Sequence, residues 1–117
     1  MNESLSSKER VKKKKEFLST YKKGNRYRGA YLIVIFRANE LPYSRVAAVA
    51  GKRIGNAVRR NKAKRWIKAL FRKKKDLLKD SKDLIIIAKE NIAKASWKNL
   101  QKDLTKAIEY INQKSLK

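Results

Sequence analysis

The sequence predicts an α+β fold, in which helices pack on a small sheet in the order αββαβα. Short runs rich in β-branched and aromatic residues alternate with longer segments whose apolar residues have helical spacing. The length of 117 residues suits a single domain, 1–117, with one modest core. Apolar residues make up 42% of the chain, so its charge does not indicate disorder.

A first helix is predicted over about residues 7–23. Ser6 and Glu9 have the S-x-x-E spacing of a capping box at the start of this segment. Gly24 is a suitable residue to end it.

Three strands are predicted, at Ala30–Phe36, Arg45–Ala50 and Leu84–Ala88. Alternation places Tyr31, Ile33 and Ile35 on one face of the first strand and Leu32, Val34 and Phe36 on the other. Both faces are apolar, which predicts a strand covered on both sides over much of its length. The connection to the second strand is short and contains Pro42, and it suggests an antiparallel hairpin.

Two further helices are predicted over about residues 57–75 and 97–113, with Asn56 and Ser96 as N-caps. On the first of them, one narrow stripe consists of Asn61, Arg65, Lys68 and Arg72, and the opposite side carries Ala63, Trp66, Ile67 and Leu70. This helix is therefore expected to be apolar toward the core and cationic toward solvent. Trp66 and Trp97 are expected in the core.

The charge of the chain indicates a polyanionic partner. The formal net charge is +23, from 33 basic and 10 acidic side chains. Between Lys52 and Lys75, twelve of 24 residues are Lys or Arg, and no acid occurs from Leu41 to Lys75. Self-repulsion at this density favours a nucleic-acid ligand. A membrane is a poor alternative, because no apolar stretch approaches the length of a spanning helix and the N-terminal residues include no apolar signal region.

The sequence also excludes several kinds of chemistry. It contains no cysteine and no histidine, which rules out disulfides, Cys/His zinc sites and Cys- or His-based catalysis. The few acids are scattered, so neither catalytic residues nor a protein metal site are expected.

Two groups of residues are candidates for nucleic-acid binding. The first is the cationic helix, whose arginines bind phosphate bidentately and whose Asn61 can contact a base or a 2′-hydroxyl. The alternative is a solvated face without a ligand, but such a face normally mixes acids with bases. The second group is Phe17 and Tyr21, four residues apart, with Tyr31 on the neighbouring strand. They form either a stacking platform for single-stranded nucleotides or an anchor for the first helix.

The string GNAVRRNKAKRWIKALFR resembles the RNR motif of the protein subunit of bacterial ribonuclease P. The matching positions are Lys52-Arg53, Gly55-Asn56-Ala57, Arg60-Asn61 and Lys64-Arg65. Lys68 stands where the family usually has arginine, and Ala69 where glutamate is common. The likeness covers about residues 10–110, including Glu16-Phe17, Tyr21 to Gly24, Tyr31 and Asp83–Ala88.

The resemblance implies a ribosomal-protein-like domain with a left-handed β-α-β crossover, where general rules predict a right-handed one. It also implies a non-catalytic subunit of an endoribonuclease, which binds the catalytic RNA and helps to remove the 5′ leader of precursor tRNA. Mg²⁺ would be held by RNA and substrate, and the protein would act in the cytoplasm as a monomer within the ribonucleoprotein. The implied RNA-binding residues are Lys52, Arg53, Asn56, Arg60, Asn61, Lys64, Arg65, Lys68 and Arg72. The implied leader-binding residues are Phe17, Tyr21 and Tyr31.

Two other functions fit the composition. One is a ribosomal or general RNA-binding protein without a processing role, from which the Arg-Asn and Lys-Arg spacing and the aromatic pair distinguish this chain. The other is an architectural DNA-binding protein, which is disfavoured because no helix-turn-helix or dimerisation heptad is recognisable.

Overall fold

The computed structural model describes residues 14–115, which form a four-stranded mixed sheet with helices on both faces. The elements are α1 (Lys14–Lys23), β1 (Asn25–Arg28), β2 (Leu32–Ala38), β3 (Arg45–Val49), α2 (Ala57–Lys74), β4 (Lys82–Ala88) and α3 (Trp97–Ser115). The α+β class is confirmed, and the order gains one strand to become αβββαβα. The predicted capping box at Ser6 and Glu9, with the helix start at residue 7, lies outside the described residues.

The strand order is β1-β2-β4-β3, which corrects the predicted hairpin. The strand at Arg45–Val49 pairs in parallel with β4 and does not pair with β2. The hairpin partner of β2 is instead β1, which the sequence reading missed. Its sequence, NRYR, has a single apolar side chain, Tyr27, so it shows no hydrophobic alternation. Tyr27 packs against Tyr110 of α3, with ring centroids 5.4 Å apart.

The connection between β2 and β3 is shaped by the side chain of Asn39. Its Oδ1 accepts from Leu41 N, and its Nδ2 donates to Tyr43 O and to Asp83 Oδ1 at 3.2 and 2.9 Å. Glu40 adopts a positive φ of 34° in this turn. The loop therefore carries the chain past the end of β4 to its far side, which is why a short connection does not produce a hairpin here.

The strands β3 and β4 are parallel neighbours joined by α2, so they form a β-α-β unit. The presence of this unit agrees with the fold implied by the resemblance. The left hand of the crossover stays a prediction.

The main core lies between one face of the sheet and the helices α2 and α3. On the sheet side it is built by Leu32, Val34, Phe36, Val46, Leu84 and Ile86, and on the helix side by Ile67, Leu70, Phe71, Leu100, Leu104 and Ile108. Both predicted caps are confirmed. Asn56 Oδ1 accepts from Arg59 N at 3.0 Å, and Ser96 Oγ accepts from Asn99 N at 3.0 Å. The predicted place of Trp97 is wrong: it is 37% exposed and meets half-buried Trp66 edge-on at the rim of the core.

A buried carboxylate fixes the turn between β1 and β2. Asp103 of α3 accepts the backbone N–H groups of Ala30, Tyr31 and Leu32, each at 2.9 Å. A Cβ at Gly29 would lie 2.5 Å from Asp103 Oδ1, so glycine permits this approach. Because the N–H groups of Ala30 and Tyr31 bond to Asp103 and not to a neighbouring strand, β2 begins at Leu32 and not at Ala30 as predicted.

Replacing this carboxylate by an amide is expected to destabilise the fold. The Asp103→Asn variant loses the charge and turns one acceptor into a donor that faces backbone N–H groups. We expect a loss of about 1–3 kcal/mol in the free energy of unfolding, measured by urea denaturation. Glu109→Gln removes an exposed carboxylate from the same helix and should change stability by less than about 0.5 kcal/mol. Equal losses in the two variants would contradict the role of Asp103.

Candidate nucleic-acid interface

The outer side of α2 presents a cationic face, which we define as Asn61, Arg65, Lys68 and Arg72 with Arg60 and Lys64 on its flank. Asn61 and Arg65 are exposed, and Lys68 and Arg72 are half-buried. The opposite side of the helix buries Ala63, Ile67, Leu70 and Phe71. The two-faced helix predicted from the sequence is thus confirmed.

Arg60 and Lys64 lie between the core side and the solvent side of α2, and both are half-buried. Arg60 Nε is buried and makes no hydrogen bond to any described residue. A buried donor without a partner carries a desolvation cost of about 1–3 kcal/mol.

The loop before α2 contains the remaining basic candidates. Lys52 and Arg53 lie in a single 3-10 turn, Lys52–Ile54, and both are exposed. Arg53 Nη1 donates to Glu90 Oε1 at 2.8 Å in an exposed ion pair. Such an exposed pair contributes little to stability. Asn56 uses its side-chain oxygen to cap α2.

The aromatic pair lies on α1, on the opposite face of the sheet from α2. Phe17 and Tyr21 have ring centroids 6.3 Å apart at an interplanar angle of 17°. Phe17 is half-buried, whereas Tyr21 is 40% exposed. The guanidinium of Arg26 on β1 lies 4.9 Å from the Tyr21 centroid. The two rings therefore anchor the helix and still offer an aromatic surface beside a cation.

Beyond α1, the same face of the sheet is only partly covered. In the sheet, Ile33 of β2 lies opposite Ile87 of β4, and Ile87 lies opposite Val49 of β3. The three side chains therefore form a row across these strands. We call this set the open row. Its members are half-buried, while Ile35 and Ile85, one step along the strands toward α1, are fully buried. The predicted cover on both faces of β2 is therefore complete only beneath α1.

Tyr31 lies apart from the aromatic pair, at the start of β2. It directly precedes β2, four residues from Ile35, or about 13 Å along an extended chain. It is half-buried and packs against the edge of the main core. Among the ring contacts within residues 14–115, one joins Phe17 to Tyr21 and none involves Tyr31. The three predicted aromatic residues therefore do not form one cluster: Phe17 and Tyr21 lie on α1, and Tyr31 lies against the main core.

An ion-pair network fastens α1 to the sheet. Arg45 donates to both carboxylate oxygens of Asp83 at 2.8 and 2.7 Å, and also to Glu16 of α1 at 3.2 Å. The hydrogen bond to Asp83 raises the pKa of Arg45 above its ordinary value, so the guanidinium stays charged at any working pH. Because Glu16 adjoins Phe17, this network sets the position of the aromatic pair over the sheet.

Two searches of residues 14–115 bear on other kinds of site. No group of three or more Asp or Glu side chains in this range could hold a metal ion. No helix in the same range is long and apolar enough to span a membrane.

Comparison with known proteins identifies the family. The sequence matches the family described as Ribonuclease P over residues 5–112. A ribonuclease P protein component from Thermotoga petrophila is 36% identical over 93 residues, which cover 80% of each chain. One from Fusobacterium nucleatum is 37% identical over 102 residues, covering 84% of this chain and 92% of the relative. This chain belongs to the ribonuclease P protein family.

Solved structures of ribonuclease P proteins share the fold. The protein from Thermotoga maritima has a TM-score of 0.78 at 29% identity and covers 87% of this chain and 96% of its own. The protein from Staphylococcus aureus has a TM-score of 0.77 at 31% identity, and the match covers 88% of this chain and 94% of the Staphylococcus aureus chain. The resemblance stated from the RNR motif is therefore confirmed.

Sequence reasoning missed several residues that shape these surfaces of the ribonuclease P protein. Arg26 and Arg28 are exposed on β1, and the register of Arg28 with Ile33 places it beside the open row. Arg45 and Asp83 are far apart in sequence, and nothing in the local pattern signals their pairing. The polar segment NRYR after Gly24 was the feature of the sequence from which the arginines of β1 could have been singled out.

Proposed function

We propose that this protein component of ribonuclease P binds the catalytic RNA through the cationic face of α2 and the 5′ leader of precursor tRNA through the open row and the aromatic residues Phe17, Tyr21 and Tyr31. The observation that carries the proposal is the separation of these two surfaces. One is cationic and lies outside the main core, and the other is apolar and aromatic and lies across the sheet.

The chemistry of the cationic face suits a structured RNA. The guanidinium groups of Arg60 and Arg65 can each donate hydrogen bonds to two phosphate oxygens, and Asn61 can contact a 2′-hydroxyl or a base edge. Lys68 supplies charge without a bidentate fork. Lys52, Arg53, Asn56, Lys64 and Arg72 complete the proposed RNA-binding set around these residues.

The open row suits a single strand. Unpaired bases can stack on aromatic rings and lie on apolar side chains, whereas bases in a duplex cannot. Phe17 and Tyr21 lie on α1 on this face of the sheet, and Tyr31 lies at the start of β2, against the edge of the main core. Arg26 and Arg28 lie beside it and can attract the phosphates of the leader.

In this account the protein performs no bond chemistry. Mg²⁺ ions held by RNA and substrate would activate the attacking water and stabilise the leaving oxygen. The protein reduces repulsion between two polyanions and holds the leader, which favours precursor over mature tRNA. It would act in the cytoplasm, as one copy within the ribonucleoprotein, because ribonuclease P RNA and precursor tRNA are its proposed partners.

Reconstitution tests the proposed function. The chain is combined with a bacterial ribonuclease P RNA, and release of the leader from a precursor tRNA is followed at low Mg²⁺ concentration. We expect cleavage with the protein and little without it, and high Mg²⁺ should reduce this difference because the ions then provide the screening. If the protein binds the RNA but leaves cleavage at low Mg²⁺ unchanged, the alternative of a general RNA-binding protein is favoured.

A further inference from the structure

A small cavity on the other flank of α2 belongs to neither proposed surface. It lies where the loop before α2 meets the turn at Glu90–Lys94, and its volume is about 290 Å³. Ile54, Ala63 and Ile92 form its apolar lining. This volume is at the small end of ligand pockets, which suits one planar group better than a peptide.

Two cations, Arg59 and Lys62, line this cavity, and contacts within the protein position both of them. The stem of Arg59 lies against the backbone of Gly55, where a Cβ would be 2.9 Å from Arg59 Cδ. Lys62 Nζ lies 5.1 Å from the centroid of the Trp66 ring, which also lines the cavity. An apolar slot with an aromatic wall and two positioned cations complements a planar base attached to a phosphate.

The cavity is a built feature and not a gap between loose segments. Ile54 of the loop packs against the main core, which fixes one wall, and the turn at Glu90–Lys94 forms the opposite wall. Ile92 is buried in the main core, so this wall is also fixed from beneath. The half-buried Trp66 is held by its edge-on contact with Trp97.

We infer that this cavity binds a single unstacked nucleotide of an RNA ligand, with the base against Trp66 and the phosphate between Arg59 and Lys62. The inference rests on the proposed RNA-binding function and adds a base-binding subsite to it. It also assigns a defined contact to two cations that the sequence indicated only as part of a general positive charge.

Tryptophan fluorescence tests the subsite without any RNA. In a Trp97→Phe background, which keeps an aromatic ring in contact with Trp66, Trp66 is the sole tryptophan, since the chain has two. Adenosine 5′-monophosphate should quench its emission saturably, whereas ribose 5-phosphate, which lacks the base, should not. No quenching by the nucleotide, or equal quenching by both probes, would overturn the inference.

Filling the cavity supplies the second arm of the test. Ala93→Leu adds bulk at the lining and should weaken the affinity for the nucleotide at least about tenfold, within the range that stacking of one base supports. Ala69→Leu makes the same change on α2, outside the cavity lining, and should leave the affinity unchanged. Lys62→Gln, an exposed substitution that leaves the lining intact, should also weaken binding and replaces the filling variant if that variant fails to fold. Unchanged affinity in folded Ala93→Leu or in Lys62→Gln would overturn the subsite, whereas the proposed function is tested separately by assembly with ribonuclease P RNA.

Discussion

Replacing Arg60 and Arg65 together by alanine is expected to weaken assembly with ribonuclease P RNA by roughly 10²- to 10⁴-fold. Each charge-assisted hydrogen bond to phosphate contributes about 1.5–3 kcal/mol, and 1.4 kcal/mol is a factor of ten in affinity. Arg65 is exposed and Arg60 is half-buried, and neither side chain belongs to the hydrophobic core. Their loss should therefore remove contacts and leave the core of the protein intact.

The salt dependence of the same assembly should change as well. Each phosphate contact contributes about one unit to the slope of log K against log salt concentration, so the double variant should have a slope smaller by about two. Lys98→Ala combined with Lys106→Ala removes the same charge from the exposed side of α3 and serves as the control. Slopes that are unchanged in the arginine variant, or reduced equally in the control, would count against the cationic face of α2 as the RNA-binding surface.

Replacing Phe17 and Tyr21 by alanine should reduce affinity for precursor tRNA and leave affinity for mature tRNA unchanged. Stacking of a base on an aromatic side chain contributes about 1–3 kcal/mol, so each substitution should cost roughly 5- to 150-fold in binding of the leader-bearing substrate. The measurement is equilibrium binding of both tRNA forms to the reconstituted holoenzyme.

A matched control for this pair is available on the same helix. Leu18 is 42% exposed and is a neighbour of Phe17, but it belongs to neither the stacked pair nor the open row. Leu18→Ala should leave binding of both substrates unchanged. Equal losses for precursor and mature tRNA in the aromatic variant would refute the assignment of the leader to this face.

The cationic helix was the part of the fold that the sequence predicted best. Its apolar period, its N-cap at Asn56 and its lack of acids are all local features, and they place Arg65 outward and Ile67 inward without any tertiary information. The bounds at Ala57–Lys74 agree with the prediction to one residue at the end of the helix.

Strand pairing was predicted poorly because it depends on contacts between distant segments. The strand at Arg45–Val49 could have joined either side of β2, and the parallel pairing with β4 is fixed by the path of α2 and by the bonds from Asn39 and Arg45 to Asp83. The edge strand β1 carries mostly arginines and so lacks the apolar alternation that marks a strand. These features arise from the fold as a whole and leave no periodic signal.

Phe17, Tyr21 and Tyr31 were singled out from the sequence, but their arrangement was not predicted. The spacing of Phe17 and Tyr21 is enough to place them on one side of α1. The position of Tyr31 is set by Asp103, which lies 72 residues away in sequence and holds the backbone of Tyr31 in the turn before β2. The row from Ile33 to Val49 needs the observed strand order and could not be derived from any one segment.

Site-directed photo-crosslinking in the assembled holoenzyme tests most directly whether the two surfaces hold different ligands. A photoreactive amino acid is placed at position 65 on α2 or at position 21 on α1, and precursor tRNA with a labelled leader is added before irradiation. We expect position 65 to crosslink to ribonuclease P RNA and position 21 to the leader. Crosslinks from position 21 to ribonuclease P RNA alone, or from position 65 to the leader alone, would contradict the account.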